Sequence, residues 1–216
     1  MAAKKSFVVL GLGKFGYSVA VSLCNDGCEV LAVDNDGDLI EDIANEVTYA
    51  VKADVTDPDV FSSLGIRNMD GAVIGISDNM EASIMATIFS KEAGIPYILA
   101  KASSKTHAMV LEKVGADHII FPEKAMGSRV ARNMVFGRFV DTFELSSSFS
   151  MVEMEVPRSW VGKSLRTLDA RNNYGVNVIA VKDGEEINVN IDPDEPLMEK
   201  QIILTVGDNT ALEKLS

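Results

Sequence analysis

The chain has 216 residues, enough for one large domain or a larger and a smaller one with a sizeable buried core. Apolar residues make up 47% and charged residues 24%, the balance of an ordinary soluble globular protein, and no stretch approaches the ~20 consecutive apolar residues of a membrane span. A formal net charge of −12 argues against a nucleic-acid partner, which needs clustered Lys and Arg, but leaves room for a nucleotide held by local backbone N–H groups and one or two cations.

The amino terminus, "MAAKKSF", runs straight into a strand-like segment, so no signal peptide is expected. From there, short β-branched runs alternate with helical patterns: "SFVVLGL", the helical "KFGYSVAVSLCND", "EVLAVD", "DLIEDIANEV", "YAVKAD", "DPDVFSSLG", "GAVIGIS", "NMEASIMATIFSKEAG", "YILAKA", "SKTHAMVLEKVGA" and "HIIFPE". Strands that are apolar throughout belong in a parallel sheet covered on both faces. Two βαβαβ halves predict an α/β, doubly wound Rossmann-type fold of about six strands. Cys24 and Cys28, four apart near the end of the first helix, read as reduced packing residues, since both histidines are far away in sequence.

After Pro122 the rhythm changes. "EKAMGSRVARNMVFGRFVDTFEL" predicts one long crossover helix, with a break at Gly137 as an option. Met126, Val130 and Met134 recur four apart, and Val135 with Phe139 makes a second stripe. A helix apolar on two faces needs a second cover, either another subunit or another domain. The plainer alternative is the last helix of the first domain. "SSSFS" (146–150) marks a small-residue junction, and the chain is divided into residues 1–140 and 141–216. The second part predicts a small α+β unit: strands in "SMVEMEV", "VNVIAVKDG", "EEINVNIDP" and "KQIILTVG", and helices in "SLRTLDARNNYG" and "NTALEKLS".

The first strand ends in Gly11, Gly13 and Gly16 with Lys14 between them, a G-x-G-x-x-G turn that opens a helix. Such a turn brings backbone close to phosphates and points a helix N-terminus at them. Asp34, about 20 residues on at the end of the second strand, suits ribose hydroxyls and repels a 2′-phosphate. Asp54 ends the third strand, where it either accepts from an adenine amine or serves as a turn aspartate. "ISDN" and "LAKAS" close the fourth and fifth strands on the same edge; Lys101 there is either a phosphate contact or a solvated lysine. Glu123 either completes a metal site or favours the next helix N-terminus. Hydride transfer needs a proton-transfer group and a cation beside the nicotinamide. Beyond His118 the chain has neither His nor Cys, and His118 itself, in the apolar run "DHIIF", reads as a packed histidine. A nucleotide sensor is therefore expected, with an NAD-dependent oxidoreductase or NADH redox sensor as the alternative.

"GLGKFG" with Asp34, "KADVTDPDVFSSLGIRNMDGAVIGISDN", "LEKVGADHIIFPEKAMG" and "LDARNNYGVNVIAV" together resemble the RCK-domain regulatory subunits of potassium uptake systems, the KtrA-like members of the TrkA family. The resemblance covers essentially the whole chain. It implies a cytoplasmic, non-enzymatic subunit that assembles through dimers into an octameric ring beneath a membrane-embedded, KtrB- or TrkH-like potassium-translocating partner. ATP and ADP would favour different ring shapes, and NAD or NADH can occupy the same fold. By position, Gly11, Gly13 and Gly16 form the phosphate turn, Asp34 holds the ribose and Asp54 lies by the adenine. Lys14, Phe15, Asn35 and Val55 are their neighbours, and Ile76, Ser77, Lys101, Ala102 and His107 line the rest. Glu123 would help hold Mg2+ or another cation near the terminal phosphate. Many relatives have Arg where this chain has Lys14, which keeps the charge and loses the bidentate fork. Cyclic di-AMP binds the C-terminal domain of some relatives, where Arg171, Asn177 and Pro193 occupy the matching region.

Overall fold

The computed structural model describes residues 4–136 and 139–215, with side-chain detail at all of these but 60, 132, 133, 135, 136, 139 and 140. By its internal contacts the chain divides into two units, residues 1–123 and 124–216. That division falls just after the start of helix α6 (Pro122–Phe136), the helix that the expected 1–140 boundary groups with the first domain.

In the first unit β1 (Ser6–Leu10), β2 (Glu29–Asp34), β3 (Tyr49–Lys52), β4 (Gly71–Ile74), β5 (Ile98–Lys101) and β6 (His118–Ile120) form one parallel sheet, in the order β3-β2-β1-β4-β5-β6. β1 is central because its residues pack on both sides: Val8 and Leu10 enter the core on one face and Val9 the core on the other, all fully buried. Burial of each such side chain is worth about 1.5–3 kcal/mol. In register Val8 lies between Leu31 and Ala72, so the strand order reverses at the β1–β4 pair. A crevice opens at such a switch point beyond the carboxyl ends of the strands.

Helices α1 (Lys14–Asn25), α2 (Gly37–Ile43), α3 (Pro58–Ser63), α4 (Met80–Glu92) and α5 (Lys105–Val114) cross over between the strands. Three of them start at side-chain caps: Asp36 accepts from the Asp38 amide at 3.0 Å, Asn79 from Ala82 at 3.0 Å and Ser104 from His107 at 3.1 Å. Each cap satisfies an otherwise orphaned amide. α1 starts at Gly13, which offers no side chain, so its first amides remain available beside the crevice.

The second unit has a five-stranded antiparallel sheet in the order β10-β9-β11-β8-β7, formed by β7 (Phe139–Glu144), β8 (Phe149–Glu155), β9 (Val176–Asp183), β10 (Glu186–Asn188) and β11 (Ile202–Asp208). Short helices α7 (Leu165–Leu168), α8 (Ala170–Tyr174) and α9 (Asn209–Glu213) accompany it. Trp160, Met154, Ile203 and Leu212 form its dry centre, with Trp160 edge-on to Tyr174 at 5.0 Å.

Four expectations are corrected. The long helix stops at Phe136, and "FVDTFE" is instead the edge strand β7, because its backbone pairs antiparallel with β8. "SSSFS" contributes to the β7–β8 hairpin turn, where Ser146 Oγ accepts from the Ser148 and Phe149 amides. The helix predicted in "SLRTLDARNNYG" breaks at Asp169, whose φ of +46° ends α7 and starts α8. His118 is exposed rather than packed, since β6 is the last strand of its sheet. Cys24 and Cys28 are free and half-buried, Cys24 in the last turn of α1 and Cys28 beyond Gly27. The stripe of Met126, Val130 and Met134 on α6 is exposed. The break at Gly137 lies outside the described residues, and the stripe through Val135 and Phe139 falls on residues without side-chain detail.

Candidate functional site

The crevice is a cavity of about 720 Å³ at the carboxyl edge of the parallel sheet. Its floor is the glycine turn. Gly11 has φ +93°, and a Cβ there would meet Ile76 Cγ1 at 2.5 Å and the Ile76 amide nitrogen at 2.9 Å, so only glycine fits without displacement. A Cβ on Gly16 would sit 1.9 Å from the Gly11 carbonyl oxygen, and one on Gly75 would sit 2.5 Å from the same oxygen. β1, α1 and β4 therefore meet through three glycines. Gly13 differs, because nothing lies within 4 Å of its Cβ position and the space opens into the crevice.

Asp34 at the end of β2 locks this turn. One carboxylate oxygen accepts from the Leu12 amide at 2.6 Å, and the other from the Asp36 amide at 2.9 Å. Asp54, past the end of β3, accepts from the Thr56 hydroxyl at 2.7 Å and the Thr56 amide at 2.9 Å. The hydroxyl contact first, then the amide, holds its carboxyl below the ordinary value and keeps it ionised. Asp54 is thus a turn aspartate and a crevice wall together.

Across the crevice Lys101, whose side chain is only 13% exposed, reaches Glu123 at 2.6 Å. The Lys101 hydrogen bond is the main reason that the Glu123 carboxyl lies below its ordinary value. Glu123 is 73% exposed, so its other lone pairs face solvent. Among the described residues no three His, Cys, Asp or Glu side chains cluster to hold a metal by themselves. Glu123 fits instead the way Mg2+ is commonly held, by one or two carboxylates together with ligand phosphates.

Of the nominated residues, Gly11, Gly13, Lys14, Asp34, Asn35, Asp54, Val55, Ile76, Ser77, Lys101 and Glu123 line this one cavity. Four do not. Gly16 is buried where α1 packs against the glycine turn, Phe15 packs with the core on the α1 side of the sheet, and Ala102 is 2% exposed inside the other core. His107 is fully buried, with Nδ1 facing the Ser103 amide at 3.3 Å and the Ser103 hydroxyl at 3.2 Å. Burial pushes its pKa below the ordinary value, so the ring is neutral. Asp78 and Asn79, placed on this edge as part of "ISDN", line the cavity too, as do Gly75, Asp36 and Thr56, which the sequence did not single out. "VIGIS" carried the signal for Gly75, a glycine one residue past the end of an apolar strand.

The second unit has its own cavity of about 560 Å³, bounded by α7, α8, β9 and segment 189–193. Arg171, Asn177 and Pro193 all line it, with Arg171 Nε donating to Asn177 Oδ1 at 2.9 Å. Arg166 enters the same cavity and is engaged by Asp194.

A switch-point crevice with a glycine floor, a carboxylate on the second strand and a lysine at the fifth defines a Rossmann-type nucleotide-binding protein, here joined to a small antiparallel unit. Residues 7–122 match the TrkA-N domain and residues 151–216 the TrkA-C domain. Over 211 residues the chain is 39% identical to Ktr system potassium uptake protein C of Bacillus subtilis, covering 98% of this chain and 96% of that one. Over 208 residues it is 38% identical to Ktr system potassium uptake protein A of Vibrio alginolyticus, covering 96% and 94%. The solved GsuK channel shares the fold, with a TM-score of 0.66 at 15% identity over 99% of this chain and 40% of that one. The chain belongs to the TrkA family of RCK-domain proteins, in its KtrA-like branch.

Proposed function

We propose that the chain is a cytoplasmic regulatory subunit, without enzymatic turnover, of a Ktr- or Trk-type potassium uptake system. The observation that carries this reading is its identity of 36–39%, over nearly full length, to Ktr potassium uptake proteins A and C. ATP or ADP occupies the crevice. Asp34 takes the ribose, Asp54 lies by the adenine, and the α1 amides, Lys14 and Lys101 take the phosphates. Five carboxylates (Asp34, Asp36, Asp54, Asp78 and Glu123) face these two lysines around the cavity. A triphosphate would add further negative charge; Glu123 is the residue that would help hold a divalent cation, whose charge would offset it.

The subunit pairs through its exposed α6 stripe, assembles as a ring, and acts on a membrane-embedded potassium-translocating partner. Nucleotide exchange shifts the ring between shapes by the difference in affinity of ATP and ADP for each shape, and by no more. The second cavity takes cyclic di-AMP, with Arg171 and Asn177 as polar anchors. Potassium flux through the partner, measured with the subunit under ATP and under ADP, tests the switch: higher flux with ATP supports it, and equal flux overturns it. A thermal-shift panel of ATP, ADP, NAD and NADH tests the ligand, and stabilisation by NADH alone would transfer the crevice to a dinucleotide.

A further inference from the structure

Two arginines enter the cavity of the second unit, and they differ in what they hold. Arg171 donates to the neutral amide oxygen of Asn177, so its charge remains available to a ligand. Arg166 is forked onto Asp194, with Nε to Oδ1 at 2.5 Å and Nη2 to Oδ2 at 3.1 Å. That is the bidentate geometry in which a guanidinium takes a carboxylate or a phosphate.

The segment carrying Asp194 is built to present it. The Asp194 amide donates to Asp192 Oδ1 at 2.9 Å, and the Glu195 amide to the Asp192 carbonyl at 3.2 Å, making a tight turn. One residue earlier, the Pro193 carbonyl accepts from the Arg166 amide at 2.9 Å, tying the turn to α7. Pro193 itself lines the cavity. Both partners of the fork stand largely in solvent, at 66% and 63% side-chain exposure, where an ion pair is weak and readily exchanged.

We propose that Asp194 is an internal competitor for the anionic ligand of this cavity: its carboxylate occupies the Arg166 fork that a ligand phosphate takes on binding. The inference rests on the assignment of the cavity to cyclic di-AMP. Binding exchanges one anion for another on Arg166 and frees the 192–195 turn from its side-chain tie, while the Arg166–Pro193 backbone bond stays. The ligand's affinity is thereby set below what two free arginines would give.

The test is calorimetric titration of the full chain at fixed ionic strength, with cyclic di-AMP and, separately, with pyrophosphate. Asp194→Asn keeps the turn amides and removes the competing charge, and it should tighten cyclic di-AMP binding about 2- to 5-fold, the range that an exposed pair allows. The gain should vanish in Asp194→Asn combined with Arg166→Gln. Glu195→Gln, an equal change of charge one residue away from the fork, should leave affinity at the wild-type value. Equal affinity of wild type and Asp194→Asn for both probes overturns the competition, as does an equal gain from Glu195→Gln. If neither protein binds cyclic di-AMP but Asp194→Asn gains pyrophosphate affinity, the competition stands and the ligand assignment fails.

Discussion

The two cavities are lined by opposite kinds of group. In the crevice of the first unit the backbone sets the geometry: Asp34 is fixed by two amides, Asp54 by its own turn, and the floor by glycines in contact. In the second unit the proposed recognition rests on guanidiniums carried by helices of four and five residues, with Arg166 two-thirds exposed. A site of the first kind is rigid before its ligand arrives, and losing a support damages the fold. One of the second kind is adjustable by surface charge at little structural cost.

The largest effect should come from the glycine contact. Gly16→Ala places a methyl group 1.9 Å from the Gly11 carbonyl oxygen, a backbone atom and not the end of a flexible side chain. A cost of about 3 kcal/mol or more is expected, which lowers the melting temperature by roughly 6–12 °C in a chain of this size. Gly13→Ala, with open space at its Cβ position and φ −55°, should cost within about 1 kcal/mol of stability yet weaken nucleotide binding, since the methyl group points into the crevice. If Gly16→Ala melts like the wild type, the crevice floor is not the rigid contact described. In the second unit Arg171→Gln should weaken the proposed ligand and leave melting unchanged, because no support of the fold is lost with it.

Asp34→Ala comes next. It removes the acceptor of the Leu12 and Asp36 amides and the proposed ribose contact together. Charged hydrogen bonds of this kind contribute about 1.5–3 kcal/mol each, so nucleotide affinity should fall about 10- to 100-fold by calorimetry. An affinity within twofold of wild type would separate Asp34 from the ligand and leave it as a clasp of the turn.

A smaller effect separates the units by pH. Both histidines, 107 and 118, lie in the first unit, and burial depresses the pKa of His107. Between that depressed value and the ordinary value near 6.5, the unfolded state binds the proton and the folded state does not, so stability falls as pH drops through this interval. Trp160 is the single tryptophan and sits in the core of the second unit. Lowering the pH from 7.5 to 5.5 should therefore leave the melting curve read by Trp160 fluorescence in place, while an amide circular-dichroism component from the first unit moves to lower temperature. His107→Gln should remove that movement. Asp54 and Glu123, with depressed carboxyls, add stability that is lost only further down, below about pH 4.5.

The legibility of the sequence follows the same divide. The parallel sheet, the glycine turn and Asp34 are readable because strand period, turn geometry and one carboxylate are local patterns with fixed spacing. Lys101 and Glu123 are readable as candidates, but their partnership is not, since 22 positions separate residues that β5 and β6 bring together. Gly75 is hidden because its reason is a contact with Gly11 from another strand. "FVDTFE" is misread as helix because the apolar repeat of α6 runs into it, and only pairing with β8 reveals a strand. His107 is misplaced by one helical face: its helix starts at the crevice edge, but the ring turns into the core.

The smallest expected effect concerns Lys14, the exposed first residue of α1. A lysine is a point charge that follows a phosphate through many orientations, whereas an arginine fork rewards one planar arrangement. Lys14→Arg should therefore change the ratio of ATP to ADP affinity by a few-fold, about 2- to 5-fold at an exposed position, with melting of the free protein unchanged. Titration of the assembled protein with each nucleotide gives the ratio. A proportional gain for both would mean that position 14 contributes general positive charge. A gain for ATP alone would mean that the terminal phosphate is sensed there, and that the rigid crevice leaves this one group free to be tuned.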